Sequence, residues 1–429
     1  MSSVCLSSAY LRVIALALFL LFSGLTGCAG TRSVQDKSCA LAGAGRFDEA
    51  LAVLDSSSLA SSRTDRLLYL MERGLLLHLQ GSYTQSTVVL DQAEQLSEEL
   101  FTKSVSAGAA SFLINDQIIA YNGADYEVVY LNYYKALNYL LLGNLEAAGV
   151  EARRVDLKLR QFEDAYAGKT VFKEDAFLRM LTGLIYQAQG DWNNAFIAYR
   201  LAHDSFVANR QLYGVPVPVV LWSLLTTTAQ RSGLLQERDT YRALAAERGV
   251  QTELIDSLAV VLINNGRIPV KRERMALFPT EEGFPVKIAL PEFVARPGGV
   301  TSARLSVAGQ EVTAEPVENL AAIAFKSLDD RIGRVLAKAI ARALAKEIAA
   351  RQLERQHGDG VGLLSRLFNI VTENADLRSW SGLPASVLLA AVPVASGDHP
   401  YRLFLDGRPV EGSLVVPAHG VGFAVHRTY

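Results

Sequence analysis

The sequence predicts an α+β protein in which a helical half precedes a half built from antiparallel strands and one long helix. In residues 181–202, small and aromatic side chains recur at the spacing of two packed helices. After Val250, turn residues become frequent, and residues 286–290 alternate between apolar and polar side chains, as half-buried strands do. We therefore expect helices over residues 39–250 and an α+β domain over residues 255–429.

The helical half contains a repeated pattern that is clearest around Gly183. This small residue is followed by a turn glycine, Gly190, a second small residue, Ala195, and an aromatic residue, Tyr199. Small residues let two antiparallel helices approach closely, and glycine readily adopts the left-handed conformation that ends a helix. Further turn glycines are expected at positions 45, 81, 143 and 233. The pattern resembles the tetratricopeptide repeat.

That resemblance covers the predicted helical domain, residues 39–250. It implies that successive helix pairs stack into a solenoid, because a single pair cannot bury its apolar face alone. Tetratricopeptide solenoids present an extended concave surface, hold protein segments and carry out no chemistry.

A tyrosine-rich segment falls within this half. Tyr126, Tyr130, Tyr133 and Tyr134 follow helical spacing and form one aromatic stripe. Tyrosine offers a large contact area with a polar tip, which suits a partner-binding surface. Core packing between helices needs the same residues at the same spacing. The stripe is therefore a candidate partner-binding groove, with core packing as the alternative.

The second half contains short strand candidates and a long helix. We expect residues 327–330 to cap that helix, because acidic residues are favoured at the positive end of a helix. Strands are predicted at residues 286–290, 304–307, 311–314, 385–394, 401–405, 414–416 and 421–425. The apolar positions of the long helix are Ile332, Leu336, Ile340, Leu344 and Ile348.

The long helix also carries cations at every fourth residue: Arg334, Lys338, Arg342 and Lys346. Like charges at this spacing repel one another by roughly 0.2–0.5 kcal/mol per pair. Such a ridge is a candidate contact for anionic lipid headgroups or an acidic partner. The alternative is an ordinary solvated face.

The amino-terminal segment has the pattern of an export signal. Residues 11–22 are apolar apart from Arg12, and the run is shorter than the roughly 20 residues that span a bilayer. The sequence Leu-Thr-Gly-Cys ends at Cys28 and resembles the lipobox of bacterial lipoproteins. The alternative is an ordinary secretory signal with a chance cysteine.

The lipobox resemblance implies that residues 1–27 are a signal peptide and that Cys28 is acylated after cleavage. It implies a membrane tether through residues 28–38, which are mostly small or polar. Ala29, instead of an aspartate, follows the cysteine, which resembles sorting to the outer membrane with the protein facing the periplasm. Cys5 leaves with the signal, so Cys39 has no partner for an internal disulfide and is expected to be a small buried side chain.

Composition and motifs exclude several classes of function. The formal net charge is −2, whereas nucleic-acid-binding proteins normally carry a strong basic excess. The six histidines are scattered without metal-ligand spacing, and no nucleophile or paired-cysteine motif is present. We therefore predict no catalytic residues, no metal, no cofactor and no enzymatic activity.

Several segments resemble an uncharacterised family of proteobacterial outer-membrane lipoproteins, which supports the pairing of the two halves but implies no activity. They are residues 126–136, 265–271, 329–335 and 376–380, together with Leu383 and Pro384. The leading hypothesis is a lipid-anchored periplasmic adaptor that binds a periplasmic or outer-membrane protein in an envelope assembly process, such as wall synthesis or secretion. One alternative is a carbohydrate- or wall-binding lipoprotein that uses its carboxy-terminal domain through Trp380. Another is a structural oligomer.

Overall fold

The computed structural model describes residues 27–106, 119–165, 175–279 and 285–429. Over these ranges helices form the first half of the chain, and strands with a helical hairpin form the second. The predicted α+β class is therefore confirmed. The predicted signal peptide lies outside the described residues, apart from Gly27. No helix in the described ranges combines the length and the apolar character needed to cross a membrane.

The helical half extends from Gly27 to Ala246, and its helices follow one another through short turns. The helices are α1 (Gly27–Gly43), α2 (Phe47–Asp55), α3 (Ser58–Ser61), α4 (Arg66–Leu79), α5 (Tyr83–Ser106), α6 (Asp125–Leu141), α7 (Leu145–Ala165), α8 (Ala176–Ala188), α9 (Trp192–Tyr213), α10 (Val219–Arg231) and α11 (Leu235–Ala246).

Glycines reverse the chain between paired helices, as predicted. Residues 45, 81, 143, 190 and 233 all have φ between +73° and +86°. Side chains other than glycine are strained in that region, so each of these turns favours glycine. The turns separate α1 from α2, α4 from α5, α6 from α7, α8 from α9 and α10 from α11.

Small residues hold the paired helices close together. A methyl group added to Gly183 would overlap the ring of Tyr199, and one added to Gly74 would overlap Leu90. Ala195 is completely buried beside the same contact. The spacing that indicated helix pairs in the sequence therefore corresponds to real close approaches.

The segment predicted as a tether is helical instead. Residues 28–38 form part of α1, and Gln35 and Ser38 are buried. Gln35 donates a hydrogen bond of 2.6 Å to Glu72, and Ser38 donates one of 3.2 Å to the carbonyl of Ala50. The carboxy-terminal part of the predicted tether is thus packed on the helical domain, because its polar side chains find buried partners there.

Cys39 is buried in the same helix, as expected. It is only 7% exposed, and burial, followed by the nearby Glu72 carboxyl, raises the pKa of its thiol to about 11. The thiolate form is therefore scarce at neutral pH, and the side chain acts as a small buried group.

The strands of the second half form three sheets. One four-stranded sheet, the mixed sheet, has the order β10-β1-β7-β6. A second four-stranded sheet, which we call the sandwich sheet, has the order β5-β4-β8-β9, and β2 and β3 form a separate hairpin. The strands are β1 (Leu258–Asn265), β2 (Val270–Pro279), β3 (Pro285–Val294), β4 (Ala303–Val307), β5 (Gln310–Thr313), β6 (Glu315–Glu318), β7 (Ser386–Pro393), β8 (Gly397–Leu405), β9 (Arg408–Val416) and β10 (Val421–Arg427).

All the strand candidates named from the sequence are present, but β1, β2 and β6 were missed. The reason is clearest for β1. Its first seven residues are buried, so both of its faces are covered and its sequence does not alternate. It pairs parallel with β10, with Leu258 opposite Val421, and antiparallel with β7. The expectation of antiparallel strands is therefore wrong for this one pair.

The mixed sheet lies between the helices and the sandwich sheet. Leu258, Val260 and Leu262 belong to the same apolar core as the helical half. The alternate residues of β1, Val261 and Ile263 among them, pack against the sandwich sheet in a second core. The molecule thus has three layers, and the two predicted domains share one core.

Polar groups also join the two halves. Tyr133 of α6 donates a hydrogen bond of 2.9 Å to Asn264 of β1. Asp175, at the start of α8, and Glu318 of β6 line the same small cavity. Burial raises the pKa of Asp175 to about 6, and burial together with Asp175 raises the pKa of Glu318 well above its usual value.

A helical hairpin interrupts the strands and consists of α12 (Leu320–His357) and α13 (Asp359–Thr372). The predicted start at residues 327–330 was wrong, because Asn319 caps the helix by accepting a hydrogen bond from the Ala322 amide. Asp330 lies inside the helix and forms an ion pair with Lys326 one turn earlier.

Replacing Gly183 with alanine tests the close approach of α8 and α9. We expect Gly183→Ala to lower the free energy of unfolding by about 1–3 kcal/mol, because the new methyl group would displace the Tyr199 ring. The matched control is Gly333→Ala in α12, where the methyl group would meet open space and should stabilise the helix by about 0.5–1 kcal/mol. Urea denaturation measures both, and equal effects would contradict the packing described.

Candidate functional site

The tyrosine stripe does not form a surface. Tyr126 is 1% exposed, and Tyr130, Tyr133 and Tyr134 are completely buried. The candidate partner-binding groove at these four residues was therefore wrong, and core packing explains the stripe. The physical reason is that α6 is covered on several sides, by α5, by α7 and by β10.

The protein's own chain covers the face of the helical half next to this stripe. Residues 376–383 lie there, between α13 and β7, and their backbone binds side chains of α1, α4 and α6. We call residues 376–383 the internal segment. The ring of Trp380 is completely buried, with its centroid 5.9 Å from that of Tyr134.

Two buried carboxyl groups hold the internal segment. Glu127 of α6 accepts a hydrogen bond of 2.8 Å from the Trp380 amide. Glu72 of α4 accepts hydrogen bonds from both the amide and the hydroxyl of Ser381, at 2.9 and 3.0 Å. The backbone of the segment is thus bound by side chains that project from two different helices of the helical half.

The environment of Glu72 opposes its ionisation. The side chain is buried, and burial raises the pKa of its carboxyl, while hydrogen bonds from Gln35 and Ser381 act in the opposite direction. A buried carboxyl of this kind costs stability unless its hydrogen bonds are made. Binding of the internal segment supplies them.

An arginine fastens the amino-terminal end of the internal segment. Arg378 donates hydrogen bonds of 3.1 Å to Asp65 and to the carbonyl of Ile119, and it lies over the ring of Tyr121 at 5.3 Å. It also forms a 2.9 Å ion pair with Asp376 within the segment. The internal segment is therefore held by the polar contacts of Arg378 as well as by the buried ring of Trp380.

These contacts correct one interpretation and supply residues that the sequence did not reveal. Trp380 cannot bind a sugar or the cell wall as it stands, because its ring is enclosed by the core. Glu72 and Glu127 were missed as functional residues. The sequence feature that could have identified them is an acid within an otherwise apolar helical face. Glu72 follows Met71, and Glu127 precedes Val128.

A groove on the opposite side of the helical half remains open. It lies between α5 and α7, has a volume of about 680 Å³, and has both charged and apolar walls. Its lining residues include Asp91, Glu94, Glu98, Tyr139, Val150, Glu151, Arg154, Leu157 and Lys158. We call it the α5–α7 groove. Leu157 is 64% exposed, which is unusual for a leucine in the wall of a groove.

The floor of the α5–α7 groove is a network of charges. Lys135, which is completely buried, forms ion pairs of 2.8 Å with Asp91 and 2.9 Å with Glu151, and a third with Glu94. Burial opposes ionisation of Glu94, but Lys158 and Lys135 lower its pKa to about 2. Glu94 is therefore ionised at neutral pH, and its ion pairs give the groove a charged floor.

The cationic ridge of the long helix is not a single surface. Arg342 is 3% exposed and forms a 3.2 Å ion pair with Glu373, which also pairs with Lys346 at 2.7 Å. Arg334 is exposed and Lys338 half-buried. The prediction that all four cations form one contact surface was wrong, because each step of four residues turns about 40° around a helix and carries the row from solvent into the hairpin.

Among the described residues, no group of three or more histidine, cysteine, aspartate or glutamate side chains has the arrangement of a metal site. The side chain of Cys28 lies outside the residues whose side chains are described.

No protein-family model matches the chain, and no curated protein matches it. Among solved structures, it is similar to one titled "MamA AMB-1 P212121". The two share 14% sequence identity, with a TM-score of 0.29, over 50% of this chain and 89% of the other. This likeness is too weak to indicate a function.

Replacing Trp380 with alanine tests how far the internal segment supports the fold. We expect Trp380→Ala to lower the free energy of unfolding by about 3–5 kcal/mol, because it empties a fully buried site. Trp192→Ala is the control, since Trp192 is only half-buried and stacks on Arg231. Urea denaturation should show a much smaller loss for the control, and similar losses would contradict the role given to the segment.

Proposed function

We propose that this protein is a lipid-anchored adaptor that faces the periplasm from the outer membrane and binds a protein partner through its helical half. The lipobox resemblance at Cys28 supports the anchor. The repeat pattern and the positive φ of the predicted turn glycines support a tetratricopeptide-like array. Such arrays bind segments of other proteins.

The observation that carries this proposal is the open α5–α7 groove. The other side of the array already holds the internal segment, so it is closed to a partner while that segment is in place. The α5–α7 groove combines exposed apolar side chains, Val150 and Leu157, with a fixed charged floor. Binding grooves for amphipathic helices commonly have this mixture of an apolar wall and charged rims.

The charges of the α5–α7 groove indicate the chemistry of the partner. Four acids and two cations line it, and Lys135 lies in its floor, so the balance is 3 − 4 = −1. Asp91 and Glu98 keep 47% and 60% of their side-chain surface exposed. The partner segment is therefore an amphipathic helix that carries lysine or arginine beside its apolar residues.

A photo-crosslinking amino acid at Leu157 tests the groove in cells. We expect it to capture one partner through a basic amphipathic segment, identified by mass spectrometry of the crosslinked peptide. Glu98→Lys in the same chain should reduce capture by about fivefold, because it replaces an attractive rim charge with a repulsive one.

The matched control places the crosslinker at Val207, which is 52% exposed on α9, away from the groove. Equal capture from Leu157 and Val207, or capture that Glu98→Lys leaves unchanged, would count against the groove as the binding site.

Replacing Cys28 with serine tests the anchor separately. We expect Cys28→Ser to abolish incorporation of labelled palmitate, because the thiol that carries the lipid is gone. Cys39→Ala is the control, since the buried Cys39 should leave acylation unchanged. Palmitate labelling of Cys28→Ser would rule out the lipobox interpretation.

A further inference from the structure

The helical hairpin of α12 and α13 has an unusual distribution of apolar side chains. The predicted apolar positions of α12 point outward: Leu344 is 60% exposed and Ile348 is 66% exposed. On α13, Leu364 and Leu367 are each 50% exposed. Further exposed apolar residues on the hairpin are Leu336, Ile340, Leu353, Leu363 and Phe368. A water-soluble helical hairpin normally buries such residues.

Charged side chains occupy the inside of the hairpin instead. Arg366 is 4% exposed and forms ion pairs of 3.2 Å with Glu347 and 2.9 Å with Glu354. Arg342 pairs with Glu373 in the same interior. The hairpin therefore pairs charged groups in its interior and turns apolar groups outward, which is the arrangement expected of a segment that contacts an apolar medium.

The β2–β3 hairpin extends this exposed apolar surface. Its first strand exposes Met275, Leu277 and Phe278, each by more than half. The start of β3 packs beside Lys346 of α12 and Asn369 of α13. We call the two hairpins together the apolar arm, residues 270–279, 285–294 and 320–372.

The net charge of the apolar arm distinguishes between two possible binding partners, a second copy of the chain and a lipid surface. The apolar arm holds thirteen cations and seven acids, a net charge of 13 − 7 = +6 in a chain whose overall charge is −2. A second copy of the chain would bring +6 against +6, and like charges disfavour such an interface. An anionic lipid surface offers both an apolar interior and opposite charge.

We propose that the apolar arm inserts its exposed leucine, isoleucine and phenylalanine side chains into the surface of a bilayer that contains anionic lipids. The position of the amino terminus fits this arrangement. Arg32, one turn of helix after Cys28, donates a hydrogen bond of 3.4 Å to the carbonyl of Lys271 at the base of β2. The helix that begins next to the residue proposed for acylation thus contacts the base of the arm.

The arm's affinity can be measured without the lipid of Cys28. The chain from Ala29 onward, which contains every side-chain contact described above, is mixed with phosphatidylcholine vesicles with or without phosphatidylglycerol and sedimented. We expect binding to the anionic vesicles that weakens as salt is added. The double variant Leu344→Gln, Leu364→Gln should bind about a hundredfold more weakly, at about tenfold for each side chain removed from the lipid.

The matched control is the double variant Val207→Gln, Val415→Gln, which changes two equally exposed apolar residues outside the arm and should leave vesicle binding unchanged. Circular dichroism and urea denaturation establish that both variants fold. Absence of wild-type binding to anionic vesicles would overturn the proposal. So would light scattering that shows a wild-type dimer, dissociated by Leu344→Gln, Leu364→Gln, in place of vesicle binding. Neither result bears on partner capture at the α5–α7 groove.

Discussion

The hydrogen bonds from the internal segment to two buried carboxyl groups are the interaction on which the rest of the structure depends. Glu127 and Glu72 are buried in the helical half. The amides of Trp380 and Ser381 supply hydrogen bonds to them in addition to those from the Ala124 amide to Glu127 and from Gln35 to Glu72. A buried carboxyl that loses such partners is strongly destabilising. The helical half is therefore complete only when the strand half is docked on it.

This docking determines which surfaces are left for function. The mixed sheet fills the space between the helices and the sandwich sheet, and the buried tyrosines of α6 belong to that contact, with Tyr133 bonded to Asn264. Residues that would suit a binding surface in an isolated repeat array are thereby used for internal packing. The α5–α7 groove and the apolar arm remain exposed. The groove has a charged floor and suits a protein segment, whereas the arm is apolar and suits a lipid surface.

The α5–α7 groove and the apolar arm differ in how their charged and apolar side chains are placed. In the α5–α7 groove, Lys135 and Glu94 form a buried charged floor that keeps the walls in place for a charged partner. In the apolar arm, ion pairs such as Arg366 with Glu347 are inside and the aliphatic side chains are outside. An amphipathic sequence pattern predicts that a helix has an apolar and a polar face. It does not predict which of the two faces packs against the rest of the protein and which is exposed.

The sequence by itself determined the local features of this protein. The turn glycines, the Gly183–Tyr199 approach and the terminal strands could be predicted, because backbone conformation and strand alternation depend on neighbouring residues. Only the tertiary structure decided that Tyr130 and Trp380 are core, that Arg342 is paired and that Ile348 is exposed. Those outcomes depend on which distant segment covers each face, and the contacts that decide them join residues up to hundreds of positions apart.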